Sequence, residues 1–409
     1  MPFVVVMVTT SYPRFPGDSV GTFMEPIARH VAARGHEVHI VAPWHPRMTR
    51  GKEEDGVFFH FFRYAPVPAL NVFGYAAGLH ADVKLKSAAW MAAPLALAAG
   101  WFKAMRVAQK RRATVMHGHW VVPGGVIAAA ARPALPLVVS LHGSDVFVAE
   151  RTPPARVAAR HVFARAGMVT ACSDDLARRA VALGAAPGRL DVVPYGVDTS
   201  RFKPSPEARV LLRARIGLGA DDVLLAAAGR LVSKKGFEYL IDAMAAIPGA
   251  HLAIAGDGDL AQPLRERAER ARLGARVHFL GNLPQDDVGA WFGAADVVVI
   301  PSVRDDSGNV DGLPNTVLEA LASGTPVVAT LAGGIGSVVR HGETGWIVPE
   351  RDAPALAGAV TTLLGNQAQR ERLGAAGRAL VETRFGWDAA AARFESAYDR
   401  ALAFNSLTR

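Results

Sequence analysis

Two stretches of this 409-residue chain repeat one pattern, and that pattern leaves few folds open. The first begins with the apolar run "FVVVMV", passes through the loop "TTSYPRFPGDSVGTF" and the helical stretch "MEPIARHVAARG", and reaches a second apolar run, "EVHIVAP". Short valine-rich runs that alternate with helices are the mark of a parallel sheet buried on both faces, with helices as the crossovers. Further strands are expected in "GVFFHFF", "TVMHGH", "PLVVSLHG", "GMVTACS" and "LDVVPYG". After "VVPYGVDTSRFKPSPEAR" the pattern restarts with "DVLLAAAGRL", a helix in "GFEYLIDAMAAI", and then "AHLAIAGDG", "RVHFLGNL", "ADVVVIPS", "PVVAT" and "GWIVP". The expectation is two Rossmann-like, doubly wound α/β domains, 1–198 and 199–385, facing a central cleft. A final segment, 386–409, with a helix from about Asp388 to Ala403, would return to the first domain. In open parallel sheets ligands sit beyond the carboxyl ends of the strands, so the informative residues should follow strands.

Composition excludes several classes. The single cysteine, Cys172, leaves no internal disulfide framework, and no charged segment with a cleavage site precedes the first apolar run. A cytoplasmic protein is expected. The charge-free stretch Ser87 to Phe102 is sixteen residues and contains Pro94, short of the roughly 20 that span a bilayer. The net charge of +8 favours anionic partners.

The loop "GRLVSKKG", residues 229–236, follows the first strand of the second half and precedes a helix. Arg230 and Lys235 there suit a diphosphate: a guanidinium grips two oxygens and an ammonium adds a point charge beside helix amides. A pair of surface cations is the plainer account, and Lys234 is assigned to it. In "SVRDDSGNVDGLPNTVLEALASG" a polar loop feeds a helix that starts near Pro314 and Asn315, whose first amides would point at an anion. Glu319, about one turn in, could accept hydrogen bonds from a ribose diol, and Asp311, before the helix, would face another part of the same ligand. Taken separately, Asp305 and Asp311 read as solvated loop acids and Glu319 as a favourable helix-dipole charge.

The combination "GRLVSKKG" with an acid, seven residues and a glutamate before "EALASGTPVVA" resembles the retaining, nucleotide-sugar-dependent glycosyltransferases of family 4, which have the GT-B fold. The likeness runs nearly end to end, through "SVGTF", "ARGHEVHIVAP", "HGSD", "VVPYGVDTSRFKP" and "GETGWIVP". It implies that Arg230 and Lys235 hold the donor diphosphate and Glu319 the ribose. Asp311 and the backbone of Leu313, Asn315 and Thr316 would hold the sugar and its phosphate, and Gly21 would approach the diphosphate from the other domain. His142 becomes a sugar-contacting, transition-state-polarising residue, with Phe23, His119 and Asp145 as further acceptor or sugar contacts. The nucleotide sugar is a substrate, no cofactor or metal is implied, and the acceptor would be a glycan or a lipid-linked glycan. Three positions depart from the family pattern. Asp311 stands where glutamate is usual, one methylene shorter; Gly336 and Ser337 replace proline and glutamate in "GGIGSVV"; Tyr195 replaces asparagine before "GVD".

Other patterns point elsewhere. His117 and His119 in "HGHW" could be metal ligands, although no third ligand lies nearby in sequence. Asp257, Gly258 and Asp259 form an acid, spacer, acid triplet of the kind metal-dependent transferases use. A nicotinamide dehydrogenase is disfavoured, because the first strand leads into "TTSYPRFPGDSVG" without closely spaced glycines. The segment 84–112 places Trp90, Trp101 and Phe102 between Lys84, Lys86, Lys103, Arg106, Lys110, Arg111 and Arg112. This reads either as a contact for an anionic membrane or as a helix with a solvated face. Nucleic acid is not an expected partner.

Overall fold

The computed structural model describes residues 2–16, 18, 20–67, 71, 79–80, 84–85 and 87–407. They form two compact units, Met1–Tyr195 with Trp387–Arg409, and Gly196–Gly386.

The first unit carries β1 (Val4–Val8), β2 (Glu37–Pro43), β3 (Glu53–Glu54), β4 (Val57–Phe62), a small hairpin of β5 (Leu79–His80) and β6 (Lys84–Leu85), then β7 (Val115–His119), β8 (Leu137–Leu141), β9 (Met168–Ala171) and β10 (Leu190–Val192). Its main sheet has the order β10-β9-β8-β7-β1-β2-β4-β3. Every pairing in it is parallel except that of β3 with β4, a two-residue edge strand that the apolar pattern does not announce. The runs expected from sequence are all strands, and their apolar residues fill the sheet: Val5, Val6, Met7 and Val8 are inaccessible to solvent, as are Val115, Met116, Val138 and Val139. Burial from both faces is what removes any alternation from these strands.

The chain winds outward from β1 through β2 to β4, returns to lay β7 on the other side of β1, and winds outward again. The strand order therefore reverses between β1 and β7, where a doubly wound sheet opens a crevice at its carboxyl end. The helix Trp387–Leu407, which runs to Leu407 rather than Ala403, packs in this unit. Phe394, Tyr398 and Ala401 are buried on it. A Cβ on Gly167 would lie 2.9 Å from the Ala401 backbone, so that glycine sets how closely the helix approaches.

The second unit carries β11 (Val223–Ala228), β12 (Ala250–Ala255), β13 (Val277–Gly281), β14 (Val297–Ile300), β15 (Val327–Thr330) and β16 (Trp346–Val348). They form an all-parallel sheet in the order β13-β12-β11-β14-β15-β16. Leu225, Leu252, Ile254, Val297, Val299 and Val328 build its core against Phe237, Leu240, Ile241 and Met244 of the helix Phe237–Met244 and Leu356, Val360 and Leu363 of the helix Ala353–Leu364. Here the order reverses between β11 and β14. The loops after those two strands are "GRLVSKKG" and "PSVRDDSGNVDGLPN", the segments already singled out for their charges.

Candidate active site

At the β11/β14 reversal the loops are held backbone to backbone. Lys234 and Lys235 lie in a single 3-10 turn, Ser233–Lys235, which ends at Gly236 with a left-handed φ of 64°. A Cβ on Gly236 would sit 2.0 Å from the Pro301 carbonyl oxygen, and the Lys234 carbonyl accepts from the Val303 amide at 2.9 Å. The turn is thus fastened to the loop that follows β14. On the far side, Gly333 (φ 57°) leaves only 2.0 Å between a would-be Cβ and the Asp311 carbonyl oxygen. Gly333→Ala should therefore lower Tm and displace Asp311, because left-handed strain of about 1–3 kcal/mol adds to a clash with rigid backbone. An unchanged melting curve would show that the Asp311 loop is not pinned there.

Both lysines converge on Asp311. Lys234 Nζ lies 2.9 Å from Oδ1 and Lys235 Nζ 2.7 Å from Oδ2. This corrects the reading of Lys234 as a surface cation: its side chain is only 11% exposed, less than the 15% of Lys235. Burial by itself would raise the Asp311 carboxyl, but the two ammonium groups outweigh it and hold it well below the usual carboxylate range. Asp311 is therefore ionised, and it already has two partners. It is not the solvated loop acid that its position taken alone suggests, since its side chain is only 15% exposed.

The helix Asn315–Ala322 begins after Pro314, which offers no side-chain cap. The first amides of that helix, at Asn315 and Thr316, are thus left to other acceptors. Asn315 Oδ1, Asn309 Oδ1 and Ser302 Oγ are buried without hydrogen-bond partners along the same loop. Such groups are costly unless something polar meets them. Glu319 is 8% exposed, one turn into the helix, and accepts a hydrogen bond from Gln285 Nε2 at 3.3 Å. Burial pushes its carboxyl up to about 7, against the opposing pull of Lys235, the Gln285 bond and Arg201. Two acids of one loop and helix therefore differ in charge state: Asp311 is fixed as an anion, and Glu319 is poised near neutrality. Arg230 is exposed on the turn after β11. Leu313 is buried, so only its backbone can serve a ligand.

The acid triplet has a structural role. Asp257 Oδ1 accepts from the Gly258 amide at 2.8 Å, and a Cβ on Gly258 would meet the Leu231 backbone at 2.6 Å. The triplet is a turn packed under the cationic loop. Among the described residues, no group of three or more His, Cys, Asp or Glu side chains could hold a metal.

In the first unit, the β1/β7 reversal gathers aromatic rings. Gly21 has a left-handed φ of 68°, and a Cβ there would come within 3.2 Å of Ser11 Cβ. Phe23 opens the helix Met24–Ala33. Its ring packs 4.8 Å from both His142 and Tyr195, with Trp120 4.6 Å from His142. Tyr195, His142 and His119 form a hydrogen-bonded row with nearly parallel ring planes: Tyr195 Oη to His142 Nδ1 is 2.7 Å, and His142 Nε2 to His119 Nδ1 is 3.1 Å. Both nitrogens of His142 thus have protein partners. His119 Nε2 is buried without a partner. An orphaned N–H would be the costly choice, so the proton belongs on Nδ1, which donates to His142, and His142 Nδ1–H then donates to Tyr195. Burial holds His119 down to about 3 and His142 well below the ordinary range, so both imidazoles are neutral.

Both carboxylate oxygens of Asp145 are taken by backbone amides. Its Oδ2 accepts from the Val121 amide at 2.7 Å, and Oδ1 accepts from the amides of Gly143 at 3.0 Å and His142 at 3.2 Å. It shapes the turn that carries His142. His117 likewise is occupied as a structural residue, with Nδ1 2.9 Å from Tyr398 Oη and Nε2 2.7 Å from Ser140 Oγ. Sequence reasoning missed Trp120, whose φ of 62° is unusual for a bulky residue, and Lys234, Gln285, Ser302 and Asn309. Only Trp120 carried a signal, its place directly after a strand.

Residues 20–201 match the family description Glycosyltransferase Family 4, and residues 210–380 match Glycosyl transferases group 1. The GDP-mannose-dependent alpha-(1-6)-phosphatidylinositol monomannoside mannosyltransferase of Mycobacterium tuberculosis is 31% identical over 407 residues, covering 95% of this chain and 96% of that protein. The chain belongs to glycosyltransferase family 4. This family 4 protein is also 33% identical over 323 residues to the D-inositol 3-phosphate glycosyltransferase of Mycobacterium bovis, covering 75% of this chain and 66% of that one. In fold it is similar to sucrose-phosphate synthase from Thermosynechococcus elongatus (TM-score 0.79, 23% identity, 98% and 99% of the two chains). It is similar as well to Anabaena HepE in complex with UDP (TM-score 0.76, 22% identity, 96% and 98%). The fold class is GT-B, with two Rossmann-like domains.

Proposed function

We propose that this glycosyltransferase moves mannose from GDP-mannose to a hydroxyl of a glycan or lipid-linked acceptor in glycolipid synthesis, with retention at the anomeric carbon. The observation that carries the reading is the meeting of a lysine turn, an uncapped helix and a buried glutamate at one strand-order reversal. Those are the parts a nucleoside diphosphate needs: cations and amides for phosphate, a carboxylate for a ribose diol. The choice of GDP-mannose over UDP sugars leans on the relative named above that uses it.

In the proposed step the bond from the anomeric carbon to the diphosphate oxygen breaks, and the acceptor oxygen bonds to the same face of that carbon. The acceptor proton passes to an oxygen of the leaving phosphate, so no carboxylate nucleophile is required. Arg230, Lys235 and the amides of Asn315 and Thr316 stabilise charge on the departing diphosphate, a preorganised electrostatic effect. No divalent metal enters the proposed scheme, and activity in EDTA tests that part. A panel of nucleotide sugars tests the whole. GDP-mannose at 100 times its dissociation constant should stabilise the protein by about 2.7 kcal/mol, and the mannoside formed should be the α anomer by NMR. Stabilisation by UDP-glucose alone would overturn the donor assignment, and a β product the retention.

A second element concerns where the reaction occurs. The helix Ser87–Lys110 runs through Pro94, and among the described residues no helix is long and apolar enough to cross a membrane. Lys86 and the side chains of Lys84 and Trp90 lie outside the described residues. Further along, Leu95, Trp101 and Phe102 are 60%, 40% and 53% exposed on one side of the helix, while Ala96, Ala104, Val107 and Ala108 are buried on the other. Arg106, Lys110, Arg111 and Arg112 continue the exposed side. We propose that this face rests on an anionic membrane, Leu95 and Phe102 entering the headgroup layer while the Trp101 indole N–H stays on the Ala130 carbonyl at 3.1 Å. Sedimentation with phosphatidylserine vesicles should carry the protein down at low salt and release it at high salt, each basic residue contributing about 1 kcal/mol. Retention in the supernatant at low salt would leave the helix as ordinary covered surface.

A further inference from the structure

The charge balance around Asp311 assigns a task to Lys234. Two ammonium groups meet one carboxylate, each on its own oxygen, at 2.9 and 2.7 Å. Lys234 is held on both sides, by its side chain on Asp311 and by its carbonyl on the Val303 amide of the same loop. Lys235 is held differently. It sits between Asp311 and the field of Glu319, and its methylenes lie against Gly229, a Cβ on which would be 3.4 Å from Lys235 Cε.

For Lys235 to grip a phosphate it must loosen its hold on Asp311 Oδ2. If Lys235 were the sole partner, that movement would strand a nearly buried carboxylate, and the anion it left would repel the incoming one. With Lys234 on Oδ1, the acid remains paired and a net positive charge is left for the ligand. We propose that Lys234 is a positioning residue that neutralises Asp311 so that Lys235 can be given to the donor diphosphate. The aspartate in place of the family's usual glutamate fits this division of labour. The shorter acid stays beside the turn, within reach of both lysines of the 3-10 segment.

The proposal rests on the nucleoside diphosphate reading, so its test separates the two. GDP and UDP would be titrated calorimetrically into the full chain and into Lys234→Met, Lys234→Arg, Asp311→Asn and the Lys234→Met/Asp311→Asn double variant, with the Tm of each protein recorded. Lys234→Met should weaken whichever nucleotide the wild type binds by on the order of tenfold. Lys234→Arg, which keeps the charge, should recover most of that loss. In the Asp311→Asn background, where no carboxylate charge remains to neutralise, Lys234→Met should change affinity by less than about twofold.

An equal loss in both backgrounds would overturn the proposal in favour of direct contact between Lys234 and the nucleotide. No loss from Lys234→Met alone would make it a bystander. A wild-type chain that binds neither nucleotide would overturn the diphosphate reading and the release of Lys235 with it. Even then, melting temperatures that fail to add across the four proteins would retain the Lys234–Asp311 pairing, and additive ones would remove it.

Discussion

Turnover should fall by roughly two to three orders of magnitude on Arg230→Ala, with a much smaller effect on stability. Arg230 is exposed on the turn after β11, and substitutions at such positions ordinarily alter stability by no more than about 0.5 kcal/mol. Removing one preorganised donor from a developing oxyanion costs about 10²–10³ in kcat. Lys235→Ala should match that loss of rate but also lower Tm, because it takes one of two cations from an ionised, nearly buried Asp311. The two cations should therefore differ in their effect on the fold, Lys235 through its pairing with Asp311. Parallel melting curves and steady-state rates with GDP-mannose decide it. Loss of rate and Tm together in Arg230→Ala would recast that residue as structural, and an unaltered rate would remove it from the diphosphate site.

The same turn shows why part of the site was legible in the sequence and part was not. Strands such as β1, β11 and β14 announce themselves, because burial on both faces demands unbroken apolar runs, and the loops that follow them inherit the functional positions from sheet topology. Lys234 and Lys235 are adjacent and chemically identical, so nothing local says that both turn inward. The direction comes from a 3-10 turn ended by left-handed Gly236, whose contact with Pro301 lies 65 residues away in the chain. His142 is similar. Its place after β8 was readable, but the saturation of its nitrogens depends on Tyr195 and His119, brought together only when β7, β8 and the end of the unit assemble. Family likeness supplied roles for Asp311 and His142; it could not supply the partners each already holds. Where a side chain's role depends on a neighbour distant in sequence, pattern reading stops at the position.

Glu319 gives the sharpest test, because its two expected effects carry opposite signs. The folded carboxyl is pushed up to about 7, while the ordinary value is 4.5. Between those values the folded chain holds a proton that the unfolded chain has released. Stability should accordingly be greatest below about pH 4.5 as far as this group is concerned, and fall as pH rises to about 7, by roughly 3 kcal/mol. Glu319→Gln has nothing to ionise, so that slope should vanish, and the variant should melt higher than wild type at pH 8. Donor binding should run the other way. Ribose hydroxyls donate best to an ionised carboxylate, so wild-type affinity for GDP should rise with pH through the same window. Glu319→Gln should lose that rise and bind GDP roughly tenfold or more weakly at pH 8, since hydrogen bonds to a charged acceptor contribute about 1.5–3 kcal/mol. A more stable protein that binds its donor less well is the signature of a buried acid kept for a ligand. If Glu319→Gln instead melts lower at pH 8 and binds GDP as tightly as wild type, then Glu319 serves the helix and Gln285, and the ribose is held elsewhere.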